Sequence, residues 1–590
     1  MKNDLSMNMR MLFTGCLIAV IIFSGCTRGT EQTVNDKEAA RWAEKTLSAL
    51  TLEKKIGQMI CSDISGTYLP EDDPKFQSWL KLAGEYGIGG FVLYKGTPYN
   101  VARVINRLQQ EAEIPLLISA DFEGGAGQQV TGATEFPGNM GFAATRDDSL
   151  MYRAAKVMAA EGHAMGIRLS YTPVTDVSVT PDNPQESVRS FGGDIALMEK
   201  MLNAYVRGYR EMGMINTSKH FPGRGDMRIF PDFPGFNYLD KSAQAYEENE
   251  LRAFQYAVNA GVAFIMTEHV AVPSLTGGSK LPASVEPLLV KGIIRDRLGF
   301  KGIITTDDLW YDHVVARFGA EEVALKALEA GHDILLKPKD PVAVIQAVAE
   351  AVKSGRIPEQ QINESVYKLL YQKALLGLHK NRFVDETQIG TAVGTAGHRK
   401  LAEEVADRSV TLLKNDAVLP IKELDKKQMV HIIIQKTENQ PNVDLLEGKM
   451  SSLFSNIRQY RLTPGTREQE YDAIEKAIRG ADLVILSFFV QRERHVDCAP
   501  VRDADLKLLQ KIFREKPRSV LAMSYGNPHI IKKIQNVPAF MTGYGEGGWY
   551  GNQVVYIDSF IRVLKGELVP SGKLPLAVSD EYPIGSGITY

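Results

Sequence analysis

Short apolar runs alternate with longer amphipathic stretches between residues 40 and 375. In the amphipathic stretches apolar residues return every three or four positions, which is the period of a helix with one buried face. Such helices are predicted at 100–113, 150–165, 195–212, 243–260 and 321–330. Strands are predicted at 56–61, 90–94, 115–119, 170–174, 214–218, 263–266, 302–305 and 333–336. Because parallel neighbours need a crossover helix, this alternation predicts a closed (β/α)₈ barrel.

The pattern changes beyond the predicted barrel. Residues 378–399 are polar, contain three glycines and show no sustained periodicity, so we expect a linker there. Alternation then resumes with predicted strands at 430–434, 483–488, 520–525 and 539–542. At 590 residues the chain exceeds what one core supports. The expected fold class is therefore α/β, with a TIM-like barrel over residues 40–377 and a smaller three-layer α/β sandwich over residues 400–590.

Residues 1–26 are expected to lie outside the fold. Lys2 and Arg10 precede an apolar run of roughly 15 residues, which is too short to span a bilayer. The run ends in Phe23-Ser24-Gly25-Cys26, which resembles a bacterial lipobox. The alternative is an ordinary secretory signal in which Cys26 is incidental. Acylation of Cys26 would tether the chain to a membrane surface, so we expect export to the bacterial cell envelope, periplasmic or at the cell surface.

Charge and cysteine content restrict the partners. A formal net charge of −3 without a Lys/Arg block argues against nucleic-acid binding and favours small molecules or neutral polymers. Besides Cys16 and Cys26 in the signal, the chain has Cys61 and Cys498, which are far apart and are expected to be buried free thiols. Because no metal-ligand spacing appears, neither a metal nor a cofactor is expected.

Polar residues follow six consecutive predicted strands. They are Asp121 and Glu123, then Asp176, Lys219 and His220, Glu268 and His269, Asp307 and Asp308, and Lys337. A single acidic residue at a strand end is often a helix N-cap, but a barrel gathers all these ends on one face. Carboxylates beside a Lys-His pair suit sugar chemistry. One carboxylate attacks the anomeric carbon and a second group protonates the leaving oxygen.

Seven motifs carry a resemblance to a known family. They are Leu-Thr-Leu-Glu-Lys-Lys-Ile-Gly-Gln-Met at 50–59, Asp-Phe-Glu-Gly-Gly at 121–125, Arg-Ser-Phe-Gly at 189–192, Lys-His-Phe-Pro-Gly at 219–223, Gly-Phe-Lys-Gly at 299–302 with its following Asp307, Ser-Val-Thr-Leu-Leu-Lys-Asn at 409–415, and Pro-Ser-Gly-Lys-Leu-Pro at 570–575. With them the chain resembles glycoside hydrolase family 3, over nearly all of its mature length. The resemblance implies a retaining exo-β-glycosidase with a barrel followed by a sandwich domain. Arg-Ser-Phe-Gly and Phe-Pro-Gly are similar to the β-N-acetylhexosaminidase branch rather than the β-glucosidase branch.

The resemblance also implies residue roles. Asp307 matches the nucleophile, and its neighbour Asp308 either caps the next helix or supports the site. The residues that match positions gripping the hydroxyls of the terminal sugar are Asp121, Arg189, Lys219 and His220, since charge-assisted hydrogen bonds fix a ring well. A packed core histidine is the alternative for His220. Trp310 either stacks on a sugar face or packs in the core.

The chain departs from the branch pattern in the loop after Lys-His-Phe-Pro-Gly. There the branch carries an Asp-Ser-His segment whose His is the general acid/base, but Asp232 stands in place of that His and Phe230 in place of the orienting Asp. Asp232 could itself be the acid/base if burial or another carboxylate raises its pKa, with Asp226 as a neighbouring candidate. Alternatively, Glu493 of the second domain supplies the acid, or catalysis has been lost.

Two further positions also depart from the pattern, because Ala126 and Gln129 stand where the family has arginines. The function expected is a lipid-anchored retaining exo-β-glycosidase that removes terminal β-linked N-acetylhexosamine from a carbohydrate substrate. The alternatives are a β-glucosidase-type enzyme of the same family and a catalytically inert glycan-binding lipoprotein.

Overall fold

A computed structural model of the chain describes residues 35–178, 188–225, 227–230, 232, 235–438, 440–490, 499–545 and 553–590. Eight parallel strands form its first sheet, in the same circular order as in the sequence. They are Ile60–Gly66, Gly90–Gly96, Leu117–Ala120, Leu169–Ser170, Ile215–Phe221, Phe264–Thr267, Ile303–Thr306 and Leu335–Leu336. The last strand pairs with the first, and a bridge from Thr305 to Ile334 closes the ring. The predicted (β/α)₈ barrel is confirmed.

Helices surround this barrel. They span Asp36–Ala49, Leu52–Gln58, Pro74–Gly84, Pro98–Glu111, Asn139–Ala144, Asp148–Ala164, Ile195–Glu211, Ala243–Tyr246, Arg252–Ala260, Asp312–Phe318, Ala320–Ala330, Pro341–Lys353 and Glu359–Leu375, with wider turns at Glu247–Leu251 and Leu288–Arg297. Several begin where a carboxylate accepts hydrogen bonds from the first turn. Asp73, Asp147 and Asp340 do so for the helices that follow them. These caps set the points at which the chain turns from loop to helix.

Three predicted elements are corrected by the structure. The predicted strand 170–174 is reduced to Leu169–Ser170, with only an isolated bridge at Val174 beyond it. Half of the first predicted strand, 56–61, is helix, since Thr51 caps the helix Leu52–Gln58 and the strand begins only at Ile60. Ile56 and Met59 are both buried, so the inner face of the helix and the start of the strand form one continuous apolar run in the sequence. The predicted helix 243–260 is interrupted by the wide turn Glu247–Leu251.

A small second sheet covers one side of the barrel mouth. It consists of Met227–Ile229, Asn237–Leu239 and Val270–Ala271. Phe230 is buried beside it and stacks on Tyr238 with 4.2 Å between ring centroids. The loop after the fifth barrel strand is therefore anchored by an aromatic cluster.

The second domain is a six-stranded sheet between helices, which confirms the predicted α/β sandwich. Its strands in spatial order are Thr411–Asn415, Ala539–Thr542, Val520–Ser524, Leu483–Phe489, Met429–Gln435 and Ile457–Leu462. Its helices are Ala396–Ser409, Pro441–Leu453, Glu468–Arg479, Asp503–Glu515, Ile530–Lys533 and Ile557–Leu564. The two edge strands were not predicted; Ile457–Leu462 is partly exposed and alternates with polar residues, which weakens its apolar signal. The expected linker 378–399 ends in helix, because Thr395 caps the helix that starts at Ala396.

The two domains are joined beside the barrel mouth. Gly193 N donates to Pro575 O over 2.9 Å, and Lys573 N donates to Ala144 O over 3.0 Å. Arg146 Nη2 donates to Leu574 O over 2.6 Å. Across the residues described, none of the helices is both long and apolar enough to cross a membrane. The expected signal 1–26, with Cys26, lies outside the described residues.

Candidate active site

The carboxyl ends of the barrel strands enclose a cavity of about 480 Å³. Its wall is mostly polar, and every strand of the barrel except the sixth, which contributes Met266, supplies or directly precedes a charged or aromatic group of the wall. The groups used below are Asp121, Glu123, Arg189, Lys219, His220, Arg224, Asp307, Asp308, Trp310 and Lys337. The four predicted sugar-binding residues and the predicted nucleophile thus line one cavity, although they span nearly two hundred positions of the chain.

Four of these groups form a buried ionic cluster. Lys219 Nζ lies 2.6 Å from Asp121 Oδ1 and 2.8 Å from Glu123 Oε1. Arg189 grips Glu123 with two hydrogen bonds, of 2.8 Å from Nε and 2.6 Å from Nη2. Such a two-pronged pair is both strong and directional. We refer to Asp121, Glu123, Arg189 and Lys219 as the buried cluster.

Opposing charges keep Glu123 and Lys219 of the buried cluster ionised. Burial alone would raise the pKa of Glu123, but Arg189 and Lys219 outweigh it and hold that pKa well below its usual range. Burial likewise acts to lower the pKa of Lys219, and the carboxylates of Asp121 and Glu123 outweigh it and raise that pKa. The cavity therefore presents fixed charges of both signs, which suit the donors and acceptors of sugar hydroxyls.

His220 is oriented by a carboxylate behind it. It lies near the end of the strand Ile215–Phe221, and its Nδ1 is 2.7 Å from Oδ2 of Asp176, which is fully buried. The imidazole lines the cavity and has a polar partner, unlike a histidine packed among apolar side chains. A carboxylate behind a histidine fixes its ring orientation and tautomer.

Asp307 directly follows the seventh barrel strand, Ile303–Thr306. Its Oδ1 accepts a hydrogen bond of 2.7 Å from the backbone N–H of Asp308. Its Oδ2 lies 3.3 Å from Nη2 of Arg224, and that same nitrogen pairs with Glu268. One carboxylate oxygen is thus held by the backbone while the other faces a guanidinium at the cavity wall.

Asp308 supports the site rather than capping a helix. Its Oδ2 accepts hydrogen bonds from Lys337 Nζ over 2.9 Å and from Trp310 Nε1 over 3.0 Å. Burial and the neighbouring charge of Asp307 raise the pKa of Asp308 to about 6. The Trp310 side chain is 47% exposed at the rim, where the Lys337 ammonium lies 5.1 Å from its ring centroid. Its place at the rim suits sugar stacking better than core packing.

Family models match both halves of the chain. Residues 51–371 match the glycosyl hydrolase family 3 N-terminal domain, and residues 410–583 match the C-terminal domain of the same family. The chain belongs to glycosyl hydrolase family 3. The resemblance drawn from the motifs is confirmed, and the protein is a glycosidase of two-domain architecture.

Three similar proteins place the chain within the family. It is 31% identical over 396 residues to "Beta-N-acetylglucosaminidase/beta-glucosidase" of Cellulomonas fimi, covering 65% of this chain and 69% of that protein. It is 26% identical over 437 residues to "Beta-hexosaminidase A" of Pseudoalteromonas piscicida, covering 69% and 71%. Among solved structures, a family 3 beta-N-acetylglucosaminidase from Paenibacillus sp. superposes with a TM-score of 0.77 at 26% identity, covering 90% of this chain and 99% of that one.

Asp232 would need a raised pKa to act as the acid/base of this family 3 glycosidase, and its surroundings have the opposite effect. Its side chain is 71% exposed, and it does not line the cavity. Lys280 Nζ lies 2.8 Å away and lowers the pKa of Asp232 by its hydrogen bond and its charge, where a general acid needs a raised pKa. Phe230, in the expected place of the orienting Asp, is buried in the aromatic cluster. Asp226 and Glu493, the other candidates, lie outside the described residues.

We expect Asp232→Asn to change kcat/KM by less than about threefold on aryl glycosides and disaccharides alike, because an exposed ion pair contributes little. Steady-state kinetics of the purified variant on both substrate types measures this. A large loss confined to the disaccharide would return Asp232 to the acid/base role.

The sequence missed two residues that the fold brings to Asp307. Glu268 follows the sixth barrel strand and was noted only as a polar strand end; Arg224 had no assigned role. One oxygen of each carboxylate and a ring nitrogen of His220 lie within 4.8 Å of one another, a set that could hold a metal ion. The Arg224 guanidinium already contacts both carboxylates and supplies positive charge there, so we assign no metal to them.

Proposed function

We propose that this family 3 glycosidase is a retaining exo-β-glycosidase that releases terminal β-linked N-acetylhexosamine, with Asp307 as the nucleophile. The observation that carries the proposal is the placing of Asp307 on the wall of a cavity of about 480 Å³ whose other wall is the buried cluster. A polar cavity of this size suits one terminal sugar ring rather than the middle of a chain. The residues that would hold the ring are Asp121, Arg189, Lys219 and His220.

The geometry supports a two-step displacement. The Asp308 N–H orients one oxygen of Asp307 and the Arg224 guanidinium lies beside the other, so that the carboxylate is positioned to attack the anomeric carbon. The covalent ester formed is then hydrolysed by water, which restores the original anomeric configuration. The buried cluster is charged before substrate enters and needs no reorganisation during the reaction, which is the condition for electrostatic preorganisation.

The choice of sugar rests on the relatives. Proteins named for N-acetylglucosaminidase or hexosaminidase activity are among those most similar to the chain, and the Arg-Ser-Phe-Gly motif agrees with them. A β-glucosidase-type activity is the second candidate, favoured by the double name of the Cellulomonas fimi relative. Asp307 lines the cavity, is oriented by the Asp308 N–H and contacts Arg224. This arrangement favours an active enzyme over the inert glycan-binding alternative.

A screen of 4-nitrophenyl β-N-acetylglucosaminide against 4-nitrophenyl β-glucoside tests the proposal. We expect at least tenfold higher kcat/KM on the first substrate. The reverse preference would establish the β-glucosidase alternative. No turnover of either substrate, with glycan binding retained, would establish the inert alternative; nitrophenolate is a good leaving group, so a weak acid/base alone would not silence the enzyme.

We also propose that Cys26 is acylated and anchors the protein at the cell envelope, on the strength of its lipobox-like setting. Cells expressing the full chain and fed labelled palmitate should incorporate the label into the wild-type protein and into Cys16→Ser, but not into Cys26→Ser. Equal labelling of the Cys26→Ser variant would contradict this assignment.

A further inference from the structure

A carboxyl group next to Asp307 has no role so far. Glu268 directly follows the strand Phe264–Thr267 and is nearly buried. Its Oε1 accepts a hydrogen bond of 2.8 Å from the backbone N–H of His269, which holds the side chain against the site. One of its oxygens lies within 4.8 Å of an oxygen of Asp307 and of a ring nitrogen of His220.

The separation of the two carboxyls matters chemically. Retaining glycosidases place their nucleophile and their acid/base about 5–5.5 Å apart, whereas inverting enzymes leave a larger gap for water. One oxygen of Glu268 lies within 4.8 Å of one oxygen of Asp307, which suits the shorter, retaining spacing better than the inverting one. Asp232, by contrast, is exposed and paired with Lys280.

Arg224 explains how two carboxylates can lie so close. Like charges at this distance disfavour each other, and one carboxyl would otherwise keep its proton. Arg224 Nη2 contacts Glu268 and lies 3.3 Å from Asp307 Oδ2, so the guanidinium offsets the repulsion between the two carboxyls while it stays between them. A glycosidic oxygen that enters between the carboxyls takes the place of this contact on Glu268. Glu268, no longer held by Arg224, then takes up a proton from solvent.

We propose that Glu268 is the general acid/base of this enzyme and that Arg224 is the positioning residue that covers it between turnovers. The proposal rests on the proposed function. In the first step Asp307 bonds to the anomeric carbon, the bond from that carbon to the leaving oxygen breaks, and Glu268 gives its proton to that oxygen. In the second step Glu268 takes a proton from water, the water oxygen bonds to the anomeric carbon, and the ester bond to Asp307 breaks.

Glu268→Ala and Glu268→Gln test the role, on the sugar that the wild-type enzyme turns over. Hydrolysis of the corresponding disaccharide should fall by about 10²–10⁴-fold, because its leaving group needs a proton. Formation of the glycosyl-enzyme from a 2,4-dinitrophenyl glycoside should change little, so the adduct on Asp307 should accumulate and be visible by intact mass. Azide should speed Glu268→Ala and yield the β-glycosyl azide, since azide attacks the ester without a base.

The matched control is Glu286→Gln. Glu286 is a buried carboxyl 18 positions further along that accepts a hydrogen bond from Ser279, and its variant should keep wild-type leaving-group dependence. The inference is overturned if Glu268→Ala loses activity equally on both substrates, or shows no azide product while the wild-type enzyme is active. A wild-type enzyme inert on every glycoside overturns the proposed function itself.

Discussion

Asp307→Ala should lose activity on the order of 10⁴-fold or more in kcat/KM, on aryl glycosides and disaccharides alike. The reason is that no covalent ester can form without the carboxylate, whatever the quality of the leaving group. Steady-state kinetics on both substrate types measures the loss. A mechanism-based fluorosugar should label the wild-type protein, and peptide mass spectrometry should find the adduct on Asp307.

The stereochemistry of azide rescue separates Asp307 from Glu268. Azide should occupy the space left by the side chain in Asp307→Ala and attack the substrate directly, giving the α-glycosyl azide, opposite to the β product expected for Glu268→Ala. Asp308→Asn is the neighbouring control; it keeps an acceptor for Trp310 and should retain the fluorosugar adduct. An adduct on any other residue would remove Asp307 from the role of nucleophile.

Glu123→Gln should destabilise the barrel by about 3–5 kcal/mol, because it leaves Arg189 with an uncompensated buried charge. The same change should raise KM, since the buried cluster loses the group that orients both cations. Thermal and urea unfolding together with kcat/KM on an aryl glycoside measure the two effects. The matched control is Glu404→Gln, which breaks a similar two-pronged pair with Arg153 at the exposed surface and should cost about 1 kcal/mol or less.

Glu123 should make the free energy of unfolding depend on pH, with less stabilisation in acid. The folded-state pKa of Glu123 lies below its unfolded value, so the folded protein holds fewer protons at this site than the unfolded chain does. Its stabilisation is therefore complete above about pH 4.3, the ordinary value for Glu, and is lost as the pH falls below it. Glu123→Gln should flatten the acid limb of the unfolding free energy, whereas an unchanged limb would contradict the assignment.

The barrel could be predicted from the chain because its signal is local. Each buried parallel strand is a short apolar run bounded by polar residues, and each covering helix carries a 3.6-residue period, so five of the eight strand predictions share at least three residues with the observed strands. The first strand failed where a capped helix and a strand share one apolar run. The edge strand Ile457–Leu462 was not predicted, because a half-exposed strand has polar residues on one face and so lacks a continuous apolar run.

For the site, the chain itself identified the residues that follow barrel strands, since a barrel places every strand end on one face. Asp121, Lys219, His220 and Asp307 were found in that way, with the family resemblance naming their roles. The environment of Asp232 depends instead on a small sheet formed by segments more than thirty positions apart, and on Lys280. Likewise, only the closed fold brings Arg224 against both Glu268 and Asp307, because charge pairing depends on distances in space that spacing along the chain does not encode.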